Sequence, residues 1–288
     1  MLDEDWLPIQ DPACAILIHD IMRNVKRLSK ATVCVDAREQ DHLDLSLDRY
    51  CLTFLNDILD ACVTTGCKIE EASLSDLISP STDDDPPGDE IYAALAAFDS
   101  LRIFRYQQRD ALEDVLEMPE EDEIALLKTM LESIMHQSTS LEELHWAAPY
   151  DLWSVGYVPC PTPSLFNIDR LQCLRLLSLA NLCCSYSALR ASLLACRRTL
   201  TTVRFEMLRI EASDEAWTRI LEVLRGMLVL RDISLTHLSQ GEGDRTEFLQ
   251  FLVPGDGAFE RHHFVPGREY VDAASFLEWN LEHGLKYQ

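Results

Sequence analysis

Apolar positions in this chain recur in one short phrase, leucine-x-x-(leucine or valine)-x-apolar, which appears seven times, each copy after a stretch with helical spacing. The clearest copies are Leu174-x-x-Leu177-x-Leu179-x-x-Leu182, Leu200-x-x-Val203-x-Phe205-x-x-Leu208 and Leu230-x-x-Ile233-x-Leu235-x-x-Leu238. The alternation inside each phrase has the period of a half-buried strand. A strand and a helix repeated at this spacing predict a solenoid of stacked units rather than a closed globule. A lone unit buries too few apolar side chains to offset its ordering entropy, so each depends on its neighbours.

Counted from the first apolar position, the units begin at 28, 69, 101, 141, 174, 200 and 230, an irregular array. Asp11-Pro12 opens the first predicted helix, with Cys14, Leu17, Ile18, Ile21, Val25 and Leu28 on one face. The alternation Ala31, Val33, Val35 predicts its strand. Leu52, Leu55, Leu59 and Cys62 mark the next helix, and Ile69-x-x-Ala72-x-Leu74 the weakest strand copy. Ile91, Leu95 and Phe98 form a third helical stripe before Leu101-x-x-Phe104-x-Tyr106. Pro119 and the acidic run Glu120 to Glu123 start a fourth helix, with Ile124, Leu127, Leu131 and Ile134 along its apolar face. Later helices are expected from about Ser187 to Cys196 and from Ser213, as cap, to Gly226.

The array is expected to span 1–239. Two segments interrupt it: Ser79 to Gly88, acidic and Pro-rich, reads as a disordered loop, and 148–166, around Trp153 to Pro163, as an insertion. The tail 240–288 has turn signals at Pro254-Gly255-Asp256-Gly257 and Val265-Pro266-Gly267, then a helix with Phe276, Leu277 and Leu281. It is expected to cap the solenoid, whose end would otherwise expose an apolar face and a strand edge.

Charge narrows the choice of partner. The chain carries a net −24, with 32 acidic against 11 basic residues up to Tyr150 and 17 against 14 beyond. Such a balance repels phosphate backbones and anionic lipid heads, so neither nucleic acid nor a membrane is expected as a partner. The ten cysteines form no C-x-x-C pair and sit mostly in apolar runs, the pattern of buried reduced thiols. Met-Leu-Asp-Glu-Asp lacks the basic start and apolar run of a secretion signal, and a cytoplasmic or nuclear location is expected.

The repeat phrase resembles leucine-rich repeats, although Leu182, Leu208 and Leu238 stand where those repeats carry asparagine. Irregular spacing and the stretch from Ser213-Asp214-Glu215-Ala216-Trp217 through Leu230-Arg231-Asp232-Ile233-Ser234-Leu235 are similar to the divergent arrays of F-box/leucine-rich-repeat proteins, especially fungal ones. The likeness covers roughly Pro12 to Ser239. It implies an α/β horseshoe with a parallel concave sheet and outer helices. It also implies substrate recognition for a ubiquitin ligase, with the ligase adaptor as a further partner. No F-box is recognised, since the first repeat helix is already expected at Asp11. A ligase-independent interaction scaffold is the alternative, and an unrecognised hydrolase a third reading.

In such repeats the residue between the last two apolar positions faces the concave surface: Thr32, Ser73, Arg105, His145, Ser178, Arg204 and Ser234. Flanking positions add Glu71, Glu143, Asp232, Gln107, Glu206 and Thr236. Arg105, His145 and Arg204, with Glu143, Glu206 and Asp232, are the candidate partner-binding residues, because a basic ladder can clamp a carboxylate or phosphate. The plainer reading is solvated sheet with cross-strand pairs such as Arg204 with Asp232. Catalytic, metal and cofactor sites are not expected. His262 and His263 lack a third ligand at usable spacing, Asp83-Asp84-Asp85 lacks the glycine of a calcium loop, and no nucleophile elbow, phosphate loop or dinucleotide fingerprint is present. Cys51 or Cys67 as a nucleophile has no histidine placed beside it by spacing.

Overall fold

A computed structural model describes residues 32–35, 58–75, 95–107, 134, 136–147, 172–211, 215–241, 247–250, 277–278, 281 and 286–287 of the chain. They belong to two compact units, one of residues 1–103 and 117–139, the other of 104–116 and 140–288. The fold is mixed α/β with parallel strands, and a strand occurs at each of the seven repeat phrases.

In the first unit, β1 (Thr32–Val35) pairs in parallel with β2 (Glu71–Ser75), placing Thr32 beside Glu71 and Cys34 beside Ser73. A helix covering 58–65 precedes β2 and buries Leu59, Ala61 and Cys62. It stops at Gly66, whose φ of 69° is open to glycine without strain. There Gly66 N donates to Val63 O at 3.3 Å and Cys67 N to Cys62 O at 2.9 Å, the paired bonds of a Schellman ending. The third helical stripe is a 3-10 turn, Leu95–Phe98, in its described part. Buried Ser138 donates to Ile134 O at 2.7 Å and to Phe98 O at 3.3 Å, tying that turn to the end of the following helix.

The second unit takes up β3 (Ile103–Gln107), whose Phe104 to Gln107 belong to it, then β4 (Glu143–Ala147), β5 (Leu176–Ala180), β6 (Cys183–Ser185) and helix α1 (Tyr186–Ala195). They are followed by β7 (Thr202–Glu206), β8 (Arg209–Glu211), helix α2 (Ala216–Arg225), β9 (Asp232–Thr236) and β10 (Ser239–Gln240). β11 (Glu247–Gln250) and β12 (Lys286–Tyr287) complete the order. One sheet runs β3-β4-β5-β7-β9, with β4, β5, β7 and β9 parallel in unbroken register. A second sheet has β6, β8 and β10 parallel, then β11 antiparallel on β10 and β12 antiparallel on β11. Reversal of strand direction at β11 ends the parallel stacking.

Two backbone devices recur. Before a strand, two successive N–H groups converge on one carbonyl of the preceding repeat: Arg102 and Ile103 on Glu70 O, Arg175 and Leu176 on Glu142 O, Thr201 and Thr202 on Arg175 O, and Arg231 and Asp232 on Thr201 O, at 2.7–3.1 Å. After a strand, Asn181, Met207 and His237 adopt φ of 55°, 50° and 51° and turn the chain into the second sheet. Asparagine tolerates that conformation, whereas Met207 and His237 adopt it at a steric cost. The amides help to hold it: Asn181 N donates to Glu206 O at 3.0 Å and Met207 N to Thr236 O at 2.8 Å. Leu182, Leu208 and Leu238, which follow these strands, are buried.

Helix α1 begins where Ser185 accepts a bond from Ala188 N at 3.2 Å, one residue before the expected start. The α2 start corrects the sequence expectation. Glu215, with φ 67° and no side-chain cap bond, holds the N-cap place assigned to Ser213, which lies outside the described residues. Its acceptor comes from far along the chain: Gln240 Oε1 takes the bond from Trp217 N at 3.3 Å. Trp217, Ile220, Leu221 and Leu224 are buried, and the Trp217 ring lies 6.1 Å from Phe205 on β7. Leu230, expected inward, is only half-buried: it opens the repeat whose strand β9 ends the sheet, and Met227 is the buried residue there. The first predicted helix, the loop at 79–88, residues 119–133, the insertion at 148–166 and both tail turns lie outside the described residues.

Candidate binding surface

Pleating sends alternate residues of β3, β4, β5, β7 and β9 to opposite faces. Phe104 and Tyr106, Leu144 and Trp146, Leu177 and Leu179, Val203 and Phe205, and Ile233 and Leu235 are buried. Between them Arg105, His145, Ser178 and Ser234 are half-buried and Arg204 is exposed. Register places His145 beside Ser178, Ser178 beside Arg204, and Arg204 beside Ser234. A flanking row holds Glu143, Leu176, Thr202 and Asp232, and the other Ala147, Ala180, Glu206 and Thr236. Thr236 departs from expectation. It is buried, at the last position of β9 before the left-handed turn at His237.

The charged side chains meet at Coulombic rather than hydrogen-bonding distances. Glu143 Oε2 lies 3.6 Å from Arg105 Nη2 and 3.7 Å from His145 Nε2, so one oxygen serves two partners. Arg204 Nη2 stands 3.7 Å from Asp232 Oδ2, the cross-strand pair of the plainer reading. Both arginines keep more than a third of their side chains in solvent, where such pairs contribute little stability. Beneath this face Tyr106 and Trp146 tilt at 52° with ring centres 5.1 Å apart, a packed floor under β3 and β4.

His145 is the most constrained member. Its Nε2 is buried and makes no hydrogen bond among the described residues. Burial lowers its pKa below the ordinary histidine value, and the charges of Arg105 and Arg204 act in the same direction against the opposing Glu143. His145 is therefore held neutral at pH 7, with two cations bearing on it.

Burial holds four of the described cysteines in the protonated, unreactive form. Burial pushes the Cys62, Cys183 and Cys196 thiols up to about 12, and Cys184 higher in the same direction. Cys67 beside Cys62 and Glu211 beside Cys183 and Cys184 add to the effect. Cys67 is half-buried and Cys173 exposed, while Cys51 lies outside the described residues. Among the described residues no group of three His, Cys, Asp or Glu side chains is placed to hold a metal ion, and no helix is long and apolar enough to cross a membrane. Asp83 to Asp85, Glu260, His262 and His263 lie outside them.

Sequence reasoning missed Ser239, Gln240 and Gly66 as organising residues. Gly66 had a readable signal, a glycine just past an apolar helical stripe. Gln240 had none, since its partner is 23 residues away. Comparisons with protein-family models, with curated proteins and with solved structures find no match to this chain.

Proposed function

We propose that the chain is a leucine-rich-repeat-type solenoid that binds a protein segment on the solvent face of its parallel sheet. In this reading it acts as a substrate-recognition module of the F-box type. The observation that carries the reading is the in-register polar row His145–Ser178–Arg204–Ser234, continued by Arg105 on β3, over a continuous apolar floor. A rigid sheet that holds large polar side chains in fixed register presents them with little further entropy to lose on binding. The recurrent backbone forks and left-handed turns support the repeat architecture, because the same fork precedes four of the strands, β3, β5, β7 and β9, and the same turn follows three, β5, β7 and β9. The ligase role rests on the resemblance of the repeat phrase and its irregular spacing.

The test is affinity capture from native lysate with three proteins: the intact chain, an Arg105→Asp/His145→Asp/Arg204→Asp variant, and an Arg190→Glu control on the exposed side of α1. Partners lost only in the triple variant, together with recovery of a ligase adaptor and cullin by the intact chain, support the full reading. Face-dependent partners without ligase components leave the binding role and replace the ligase role by a scaffold. Partners retained equally by all three overturn the assignment of the face.

A further inference from the structure

The centre of the face carries small side chains. Ser178 and Ala180 on β5, with Ala147 beside Ala180 on β4, are small, while β4 and β7 on either side carry His145 and Arg204. Those two residues stand two strand spacings apart, roughly 9.6 Å between backbones. Arg204 meets Asp232 only at 3.7 Å, well beyond the 2.7–2.9 Å typical of a charge-assisted hydrogen bond. His145 Nε2 makes no hydrogen bond among the described residues and has Glu143 Oε2 at 3.7 Å, a contact too long to satisfy it fully. The charged groups facing this place are Arg105 from β3, Glu143 from β4, Arg204 and Glu206 from β7, and Asp232 from β9. β5 contributes none. Glu143 is shared between Arg105 and His145, and Asp232 lies on the far side of Arg204 from Ser178.

We infer that the stretch of sheet over Ser178, between His145 and Arg204, seats one oxyanion group, a carboxylate or a phosphate, carried by the bound protein segment. This rests on the proposed binding role of the face. Arg204 supplies a guanidinium fork, Ser178 a hydroxyl donor, and His145 an imidazole that becomes a second cationic donor by taking a proton from solvent as the anion enters. Binding is therefore coupled to proton uptake and strengthens as pH falls through the histidine range.

The test follows the imidazole signals of the histidine-labelled full chain by NMR, with His145 identified from its loss in His145→Gln. The probes are sulfate and acetate, each against chloride at matched ionic strength. The seat predicts that the His145 midpoint rises by about one pH unit at saturation, as expected for a new opposite charge within a few ångström. Ser178→Gln, which puts a bulky side chain between His145 and Arg204, and Arg204→Gln, which removes the fork, should each abolish most of that rise. A response to sulfate alone assigns the seat to a phosphate-bearing segment, and a response to both probes admits a carboxylate. A midpoint that moves equally in chloride, or an undiminished rise in both variants, overturns the seat. Face-dependent capture in the same preparation would then leave the binding reading standing.

Discussion

The indole Nε1 of Trp217 donates to the carbonyl oxygen of Ser239 at 2.7 Å, joining helix α2 to the third strand of the second sheet across 22 residues of sequence. The same residue's backbone N–H is accepted by Gln240, so β10 supplies both the anchor and the cap of the helix. Both partners are buried, where an unmade bond costs the full desolvation of its orphaned group. Trp217→Phe keeps a ring against Phe205 but loses the donor, and should cost about 1–3 kcal/mol in chemical denaturation. Gln240→Leu should cost about 1 kcal/mol, the usual value of a lost cap. Because both act on one junction, a double-mutant cycle should show the two losses to be less than additive.

Inward and outward positions of the sheet should respond oppositely. Leu177 and Leu235 are fully buried, so alanine at either should cost about 2–5 kcal/mol, and aspartate should unfold the second unit. Arg204→Asp removes only an exposed, long ion pair and should change stability by less than about 1 kcal/mol. Circular dichroism melts that reversed this order would falsify the assignment of faces.

Backbone conformation alone gives another pair of expectations. A Cβ at Gly66 meets nothing within 4 Å, so Gly66→Ala is penalised only through its positive φ, by about 1–2 kcal/mol. Met207 stands in the same region with a side chain, and Met207→Gly should be neutral or stabilising by up to about 1 kcal/mol. Thermal denaturation should show a lowered midpoint for Gly66→Ala and no lowering for Met207→Gly.

Thiol reactivity separates the cysteines by burial. At pH 8, a brief exposure to iodoacetamide should modify Cys173 well before Cys62, Cys183, Cys184 or Cys196, whose thiols burial keeps protonated. Site-resolved mass spectrometry reads the order. Labelling of Cys184 at the rate of Cys173 in the native protein would contradict the packing of β6.

Stability should also carry a histidine signature. His145 has a folded pKa below its unfolded value of about 6.5. The unfolded chain therefore binds more protons between those two values, and this residue's contribution falls as pH drops through that window. His145→Gln removes the contribution, so the variant should lose less stability than the parent between pH 7 and pH 5. Equal losses in urea titrations at the two pH values would place His145 in solvent.

The register of the candidate face was legible in the chain. Leucine phrases such as Leu174-x-x-Leu177-x-Leu179 set both the strand and the side each residue faces, because a period of two admits no other assignment once one face is apolar. Arg105, His145 and Arg204 were thereby placed in one row before any coordinates. Their spacing from Glu143 and Asp232, and the neutral state of His145, depend on rotamers and on burial by neighbouring strands, which no local pattern encodes. The start of α2 failed for a similar reason: Ser213 is the best local cap, but the chain uses a buried glutamine from β10.

By itself, the sequence determined where the seven strands of the repeat phrases fall and, Leu230 and Thr236 apart, which of their residues face inward, since these follow from side-chain periodicity; it did not foretell the second sheet. Only the tertiary structure decided that Met207 and His237 take left-handed turns, that Thr236 is buried, that Gln240 caps α2, and that Glu143 lies between Arg105 and His145. Each of those outcomes is a contact or constraint between residues distant in sequence, and its energy exists only once the neighbouring strands and helices are packed.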